Sequence, residues 1–334
     1  MATSGTPGVM ISTVTSFFIL THITVHGTNI TDGIDVFNVN ALGANGEHLD
    51  SILAANIQST NNGILLKNAN GVLIDGNSVH NTMSWGIRVE NSHDNVITFM
   101  SLDHNGLNNP ASHPVTSTVV QVFLDQTFWG GILLVNSDHN TLSVSQLSED
   151  SYAGFVLVNS NYNTVFHVDT RYPDYYGGVL LASSHNTISD VSTQTSDFDG
   201  LLVRGGGFNN ITNDTFSANG PIGAEITDRI VPYFVAGIYL GWGTHDNTVT
   251  LNHANKGNTG PSLVADDGTI INPVSSPIQN LNPLNNPSTG NDPGSIPSGV
   301  PLFQGTVNTG SGNVFCGNSF PSFAGAATNP NAAC

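Results

Sequence analysis

The sequence predicts an all-β fold, a parallel β-helix whose rungs are about 23 residues long, and three observations carry that prediction. The first is a spaced signature. Gly131-Ile-Leu-Leu-Val-Asn-Ser-Asp-His-Asn140-Thr-Leu is followed by Gly154-Phe-Val-Leu-Val-Asn-Ser-Asn-Tyr-Asn163-Thr-Val and by Gly178-Val-Leu-Leu-Ala-Ser-Ser-His-Asn186-Thr-Ile, so that Asn-Thr-apolar recurs every 23 residues. Weaker copies occur at Asn95, Asn209 and Asn247 and at the glycines Gly63 and Gly86. A period in the low twenties, built of short apolar runs between Asn, Ser and Gly, fits one turn of a β-solenoid and is too short for a helical hairpin. The second observation is that no stretch sustains an apolar pattern at helical spacing. The third is the recurrence of glycine and asparagine, which tolerate the left-handed backbone that a coil needs at its corners.

Each part of the rung has a physical reason. Stacked rungs lie roughly 4.8 Å apart, so equivalent side chains form ladders. An asparagine repeated in register can bond its amide to the next rung and satisfy polar groups that would otherwise be buried unpaired. Asn95, Asn140, Asn163, Asn186, Asn209 and Asn247 read as that ladder. Counting from each rung glycine, the first and third residues point inward by strand alternation and the middle one outward. The outward set is then Leu65, Arg88, Leu133, Val156, Leu180, Leu202 and Tyr239. Such an exposed apolar ladder calls for a cover.

Along the chain, residues 1–60 read as a cap with early irregular rungs, and Gly33-Ile-Asp-Val resembles a rung start. Regular rungs occupy 61–257, with insertions at 105–126 and 220–235. The segment 258–334 reads as a tail packed on the helix: ten of the sixteen prolines fall within 261–334, with no Lys or Arg, and proline cannot continue a sheet ladder. Within it, Gly312-Asn-Val-Phe-Cys316 can return as a strand. The tail is the expected cover for the apolar ladder, and a homo-oligomer interface is the other occupant.

The Gly-Ile-x-Leu…Asn-x-x-x-Asn-Thr-Ile rung resembles the repeats of the pectin-lyase-like superfamily, which includes NosD-like periplasmic proteins and many secreted polysaccharide-degrading enzymes. The resemblance implies a right-handed coil, in line with the general preference for right-handed crossovers between parallel strands. It does not imply one activity, because β-helices host hydrolases, lyases, epimerases, adhesins and scaffolds. The acid constellation of polygalacturonases and the basic cluster of pectate lyases are both missing.

Composition restricts the partners. Six Lys and Arg against 24 Asp and Glu leave a net charge of −18, which repels nucleic acid, anionic membranes and polyuronates and favours a neutral glycan. No run of 18 apolar residues predicts membrane insertion. Cys316 and Cys334, the two cysteines present, are expected to pair, which implies an oxidising compartment and a secreted, cell-surface or periplasmic protein.

Candidate chemistry sits just before the rung glycines. Trp129, Tyr152, Tyr176 and Phe198 align there as an aromatic ladder, with Asp150, Asp174, Asp197 and Asp199 beside it. Aromatic faces against carboxylates suit a sugar cleft. Asp150 and Asp174 on adjacent rungs would stand roughly 5 Å apart, near the separation of a retaining pair. Arg171, Tyr175 and Tyr233 complete the expected binding set. The expected function is a hydrolase or transglycosylase, with a non-catalytic glycan-binding scaffold and a lyase or epimerase as alternatives. No cofactor is expected, and no metal ligands are assigned. Stacked aspartates holding Ca²⁺ are the competing reading. His93, His139, His185 and His245 sit at the corner before the asparagine ladder and read as turn residues.

Overall fold

In a computed structural model, the structure describes residues 5–13, 17–27, 30–48, 50–107, 130–150, 152–173, 176–194, 196, 200–217, 238–240, 244–254, 263–264, 314–318 and 333. Every regular element among them is a strand, and the strands coil as a right-handed parallel β-helix. One ten-stranded parallel sheet runs in chain order from Val9–Ser12 to Leu263–Val264, each strand pairing with its counterpart one rung on. The other two strands of each rung join a 17-stranded sheet that wraps the remaining sides. The expected returning strand is present: Val314–Cys316 pairs in parallel with Thr248–Thr250. Among the described residues no cysteine is free; Cys334, most of the tail and most of both insertions lie outside them.

A single rung shows how the sequence makes the coil. Ile87–Glu90, Val96–Thr98 and Ser101–Asp103 are its three strands. Between and after them Asn91, Asp94, Phe99 and His104 take positive φ and turn the chain. The same corner positions carry positive φ on the next described rung, at Asn136, His139, Val144 and Glu149. Left-handed backbone strains any residue with a side chain, so the repeated Asn, Asp and His at the first two corner positions lower the cost of every turn.

The interior holds two kinds of ladder. Apolar side chains such as Ile64, Ile87, Ile132 and Phe155 stack in register and are fully buried. Beside them, the expected asparagine ladder forms. The side-chain amides of Asn95, Asn140, Asn163, Asn186 and Asn209 each donate to the next rung's side-chain carbonyl, at 2.9, 3.2, 3.2, 3.1 and 2.9 Å, ending on Asn247. Each of those carbonyls also accepts the backbone N–H of the preceding asparagine. The buried corner is thereby satisfied.

One register expectation is corrected. Phe155 pairs with Gly178, and Val156 with Val179, so Gly177 is the rung glycine equivalent to Gly154. Val179 therefore belongs to the outward column, while Leu180 packs in the interior cluster. Gly178 is glycine for a packing reason: a Cβ there would lie 2.2 Å from Cζ of Phe155. The Phe155 ring fills the space that an aliphatic side chain occupies on other rungs.

Candidate functional site

The outer face of the ten-stranded sheet carries a register column that reads Met10, Asp35, Leu65, Arg88, Leu133, Val156, Val179, Leu202, Tyr239. Leu133, Val156, Val179 and Leu202 are buried although they stand outside the interior cluster. Met10, in contrast, is exposed, and Asp35, Leu65 and Arg88 are only partly covered. Two residues further along the strands lie Lys67 and Glu90, also in register. Lys67 Nζ sits 3.3 Å from Glu90 Oε2, and Arg88 Nε donates to Glu90 Oε1 at 2.6 Å. Two of the chain's six Lys and Arg residues thus meet on one carboxylate.

Two further carboxyls border this group. Burial pushes the Asp35 carboxyl above the usual carboxylate range; the neighbouring Asp32 charge adds to the rise and Lys67 opposes it. Its Oδ1 is buried without a hydrogen-bond partner. Asp32 is raised as well, first by burial; the 2.7 Å hydrogen bond from the Asn62 amide and the Arg88 charge work against the rise. Burial penalises the ionised form, so both groups hold a proton to higher pH than a surface aspartate does.

The residues singled out from the sequence fall elsewhere. Asp150 is buried, 1% exposed, in the third corner, where its Oδ1 accepts the backbone N–H and the side-chain amide of Asn105, each at 3.1 Å. Register is constant at 23 residues from Ser148↔Arg171 to Ala153↔Tyr176, which puts Asp150 in line with Pro173. Tyr176 accordingly aligns with Ala153 rather than with Tyr152. The two tyrosines are buried, with ring centroids 5.5 Å apart and edge to face. Arg171 is exposed and engaged by Asp169, its Nε donating at 2.6 Å. Trp129, Asp174, Tyr175, Asp197, Phe198, Asp199 and Tyr233 lie outside the described residues.

The histidines behave as turn residues. His93 Nδ1 accepts the backbone N–H of Asp138 at 3.1 Å. His139 and His185 occupy positive-φ corners and alternate with aromatic rings in one stack: His139 to Tyr162 at 5.1 Å, Tyr162 to His185 at 4.7 Å and His185 to Phe208 at 5.0 Å, all nearly parallel.

Sequence reasoning missed Asp32, Asp35, Lys67 and Glu90. The signal was present in Gly33-Ile-Asp-Val, which matches a rung start; extending the outward column one rung back from Leu65 lands on Asp35. The third corner holds one more group of chemically active side chains: ligand atoms of Asp103, His104 and Glu149 all lie within 4.8 Å of one another.

Parallel rungs, internal asparagine ladders and a polar patch on the first sheet define the class, a parallel β-helix repeat protein. The family model of NosD, described as a periplasmic copper-binding protein, matches residues 19–190, more than half of the chain, and this chain belongs to that family. No curated protein sequence matches it. Among solved structures it is similar to the periplasmic alginate epimerase AlgG. One AlgG mutant gives a TM-score of 0.51 at 12% identity, covering 78% of this chain and 76% of that one. Another AlgG structure gives 0.49 at 13%, and there this chain spans 58% of the neighbour's length. DFA-IIIase from Arthrobacter chlorophenolicus A6 gives 0.46 at 12%, covering 74% and 64%. At these identities the likeness shows the fold.

Proposed function

We propose that this chain is an exported β-helix protein that acts on a glycan, with its carbohydrate site on the open, polar end of the first sheet's outer face. The observation that carries the reading is the pairing of two carboxyls raised by burial, Asp32 and Asp35, with the Lys67–Glu90–Arg88 group on the neighbouring rungs. Perturbed carboxyls gathered on an accessible face are a mark of functional sites. A carboxyl that holds its proton to higher pH than a surface aspartate can donate it to a glycosidic oxygen, while Glu90, in contact with Lys67 and Arg88, can accept hydroxyl hydrogens or act as base. The alginate epimerase named above has a carbohydrate in its name, which motivates the substrate class. Export is supported by the periplasmic description of the family.

The sugar is best read as neutral. A lyase or epimerase must neutralise a uronate carboxylate, and both cations here are already engaged by Glu90. The net charge of −18 further disfavours a polyanion. Hydrolysis or transglycosylation is therefore the proposed reaction class.

The test is a polysaccharide panel scored for binding, released reducing ends and unsaturated product, with and without EDTA. Asp35→Asn preserves shape but removes the transferable proton, so it should lower turnover by roughly 10²–10⁴-fold while the chain stays folded. Binding without product in the parent chain would make the protein a glycan-binding scaffold. Full turnover in both Asp35→Asn and Asp32→Asn would move the proposed site to the acids singled out from the sequence, Asp150, Asp174, Asp197 and Asp199. Loss of folding on EDTA treatment would assign carboxylates to Ca²⁺.

A further inference from the structure

We infer that the ring stack at the corner before the asparagine ladder, together with the hydroxyl rows beside it, is a second carbohydrate surface that anchors the chain on a solid neutral polysaccharide. The rows lie on the 17-stranded sheet and follow from strand register. Thr141, Thr164, Thr187 and Asn210 form one column. Ser143, Phe166, Ser189 and Thr212 form the other. The residues between them, Leu142, Val165, Ile188 and Ile211, are buried in the interior cluster. Both columns therefore face outward, and every side chain in them is exposed or partly exposed.

Two residues before the first column, on the same four rungs, stand the stacked rings of His139, Tyr162, His185 and Phe208. They take positive φ, at 58°, 56°, 58° and 58°. Histidine tolerates that backbone, but a bulky tyrosine or phenylalanine there is an outlier. Tyr162 and Phe208 are also 52% and 51% exposed. Neither turn preference nor core burial calls for them at this corner, and strain held in place points to a use on the outside. Each ring covers its neighbour's face, so the stack turns its rim to solvent. That rim alternates imidazole nitrogens with the Tyr162 hydroxyl, polar tips on an apolar body.

The chemistry of the surface selects the partner. Phe166 interrupts the hydroxyl row and is 44% exposed; its neighbours in register are Ser143 and Ser189, too short to cover its ring. An open ring among hydroxyls suits a sugar, whose apolar face stacks on the one while its hydroxyls bond to the others. The columns repeat roughly every 4.8 Å, so they match a partner that is itself repetitive. No Lys, Arg, Asp or Glu occurs in the rows or the stack, and the chain as a whole carries a net charge of −18. A polyanion finds no cation here and is repelled at a distance, whereas a neutral polysaccharide meets each requirement. Short side chains on a sheet make a platform rather than a cleft, which fits chains lying side by side in a solid. The surface shares no residue with the carboxyls of the first sheet and takes its partner from its own chemistry, so it does not rest on the reading above.

The experiment measures depletion of the full chain from solution by particles of microcrystalline cellulose, chitin and curdlan, with calcium alginate beads as the polyanionic control. At least one neutral solid should retain the parent, and alginate should not. Tyr162→Asn/Phe208→Asn puts corner-favouring residues at both strained positions, so the coil should stay folded by circular dichroism while affinity for that solid falls about tenfold or more. Thr164→Val/Thr187→Val keeps shape and strand preference but removes two hydroxyls, and it should weaken retention as well. Retention should survive in Asp32→Asn/Asp35→Asn, whatever becomes of turnover there. No retention of the parent on any of the three neutral solids would overturn the inference, as would full retention of both surface variants. Retention lost in Asp32→Asn/Asp35→Asn but kept in Tyr162→Asn/Phe208→Asn would also overturn it, by placing glycan binding on the first sheet alone. A parent that no solid retains and that is a dimer in solution, but a monomer as Tyr162→Asn/Phe208→Asn, would reassign the surface to a second copy of the chain.

Discussion

The two ends of one sheet face make opposite use of the same column. From Met10 to Arg88 the outward residues are exposed or half-buried and include Asp35 and Arg88; from Leu133 to Leu202 they are Leu, Val, Val and Leu, all buried. Backbone register is unbroken across the boundary, and the inward residues are apolar on both sides. The coil is thus indifferent to what its outer face carries. Function can be written on that face without changing the fold, and the charged half is where we propose that it has been written.

The sharpest way to break this comparison is to place the same substitution in both halves. Val156→Asp puts a carboxyl at a site that is 2% exposed and should cost about 3–5 kcal/mol, the scale of an uncompensated buried charge. Leu65→Asp, in the same column but partly open to water and two rungs before Leu133, should cost about 1 kcal/mol or less. Chemical denaturation of the two variants measures both. Equal losses would mean that the outer face is uniformly covered or uniformly open, and the division would fall. The expected cover, the 258–334 tail, lies largely outside the described residues. Truncation after Gly257 also removes the strand at Val314–Cys316, so the point substitution is the cleaner probe.

Most of the coil was legible because its causes are local and repeated. The asparagine ladder follows from one residue type at one spacing, and the returning strand from the Gly312-Asn-Val-Phe-Cys316 pattern. What escaped was register at one rung. Two glycines, Gly177 and Gly178, stand side by side, and only the bulk of Phe155 on the preceding rung decides which one starts the strand and which one yields space. The candidate site was less legible still. Asp150 looked like a cleft acid from its place before a rung glycine, yet the corner folds it inward, onto the donors of Asn105. Asp35 looked unremarkable until strand pairing set it beside Leu65 and within reach of the charges of Lys67 and Asp32.

The second prediction uses acidity to separate interior from face. At the second corner, Asp214 stands in the column of Asn252 and Asn318, whose amides donate to the Ile211 and Val249 carbonyls at 3.0 and 2.9 Å. Asp214 Oδ1 accepts the Val191 N–H at 2.7 Å, while Oδ2 is buried with no partner. Burial raises its pKa well above that of a free aspartate. A raised carboxyl favours the folded state fully below its unfolded value of about 3.9, and that contribution is lost as pH rises through the folded value. Melting temperature should therefore fall from pH 4 upward. Asp214→Asn restores a donor and should add about 1–2 kcal/mol at neutral pH while flattening the slope. Asp32 and Asp35 act with the same sign at the open face, so a residual slope in Asp214→Asn that disappears in Asp32→Asn/Asp35→Asn would assign the remainder to the sheet.

The smallest change in stability should come from Arg88→Leu, and it is the most pointed test of the division. Arg88 is the last charged residue of the outward column before the buried Leu133, and leucine there would extend the apolar series one rung toward the open end. The ion pair it gives up with Glu90 is partly exposed, at 29% and 18% for the two side chains, and pairs of that kind contribute about 0–1 kcal/mol. Lys67 stays in place to hold Glu90, and apolar contact with Leu65 and Leu133 offsets part of the loss. The variant should thus unfold within about 1 kcal/mol of the parent. Its glycan binding should nonetheless drop, because the face loses a fixed donor and the carboxylate at its centre is freed to turn away. A variant that keeps full affinity would leave Arg88 as a surface charge on a scaffold, and the polar half of the sheet would have to be reassigned to solubility alone.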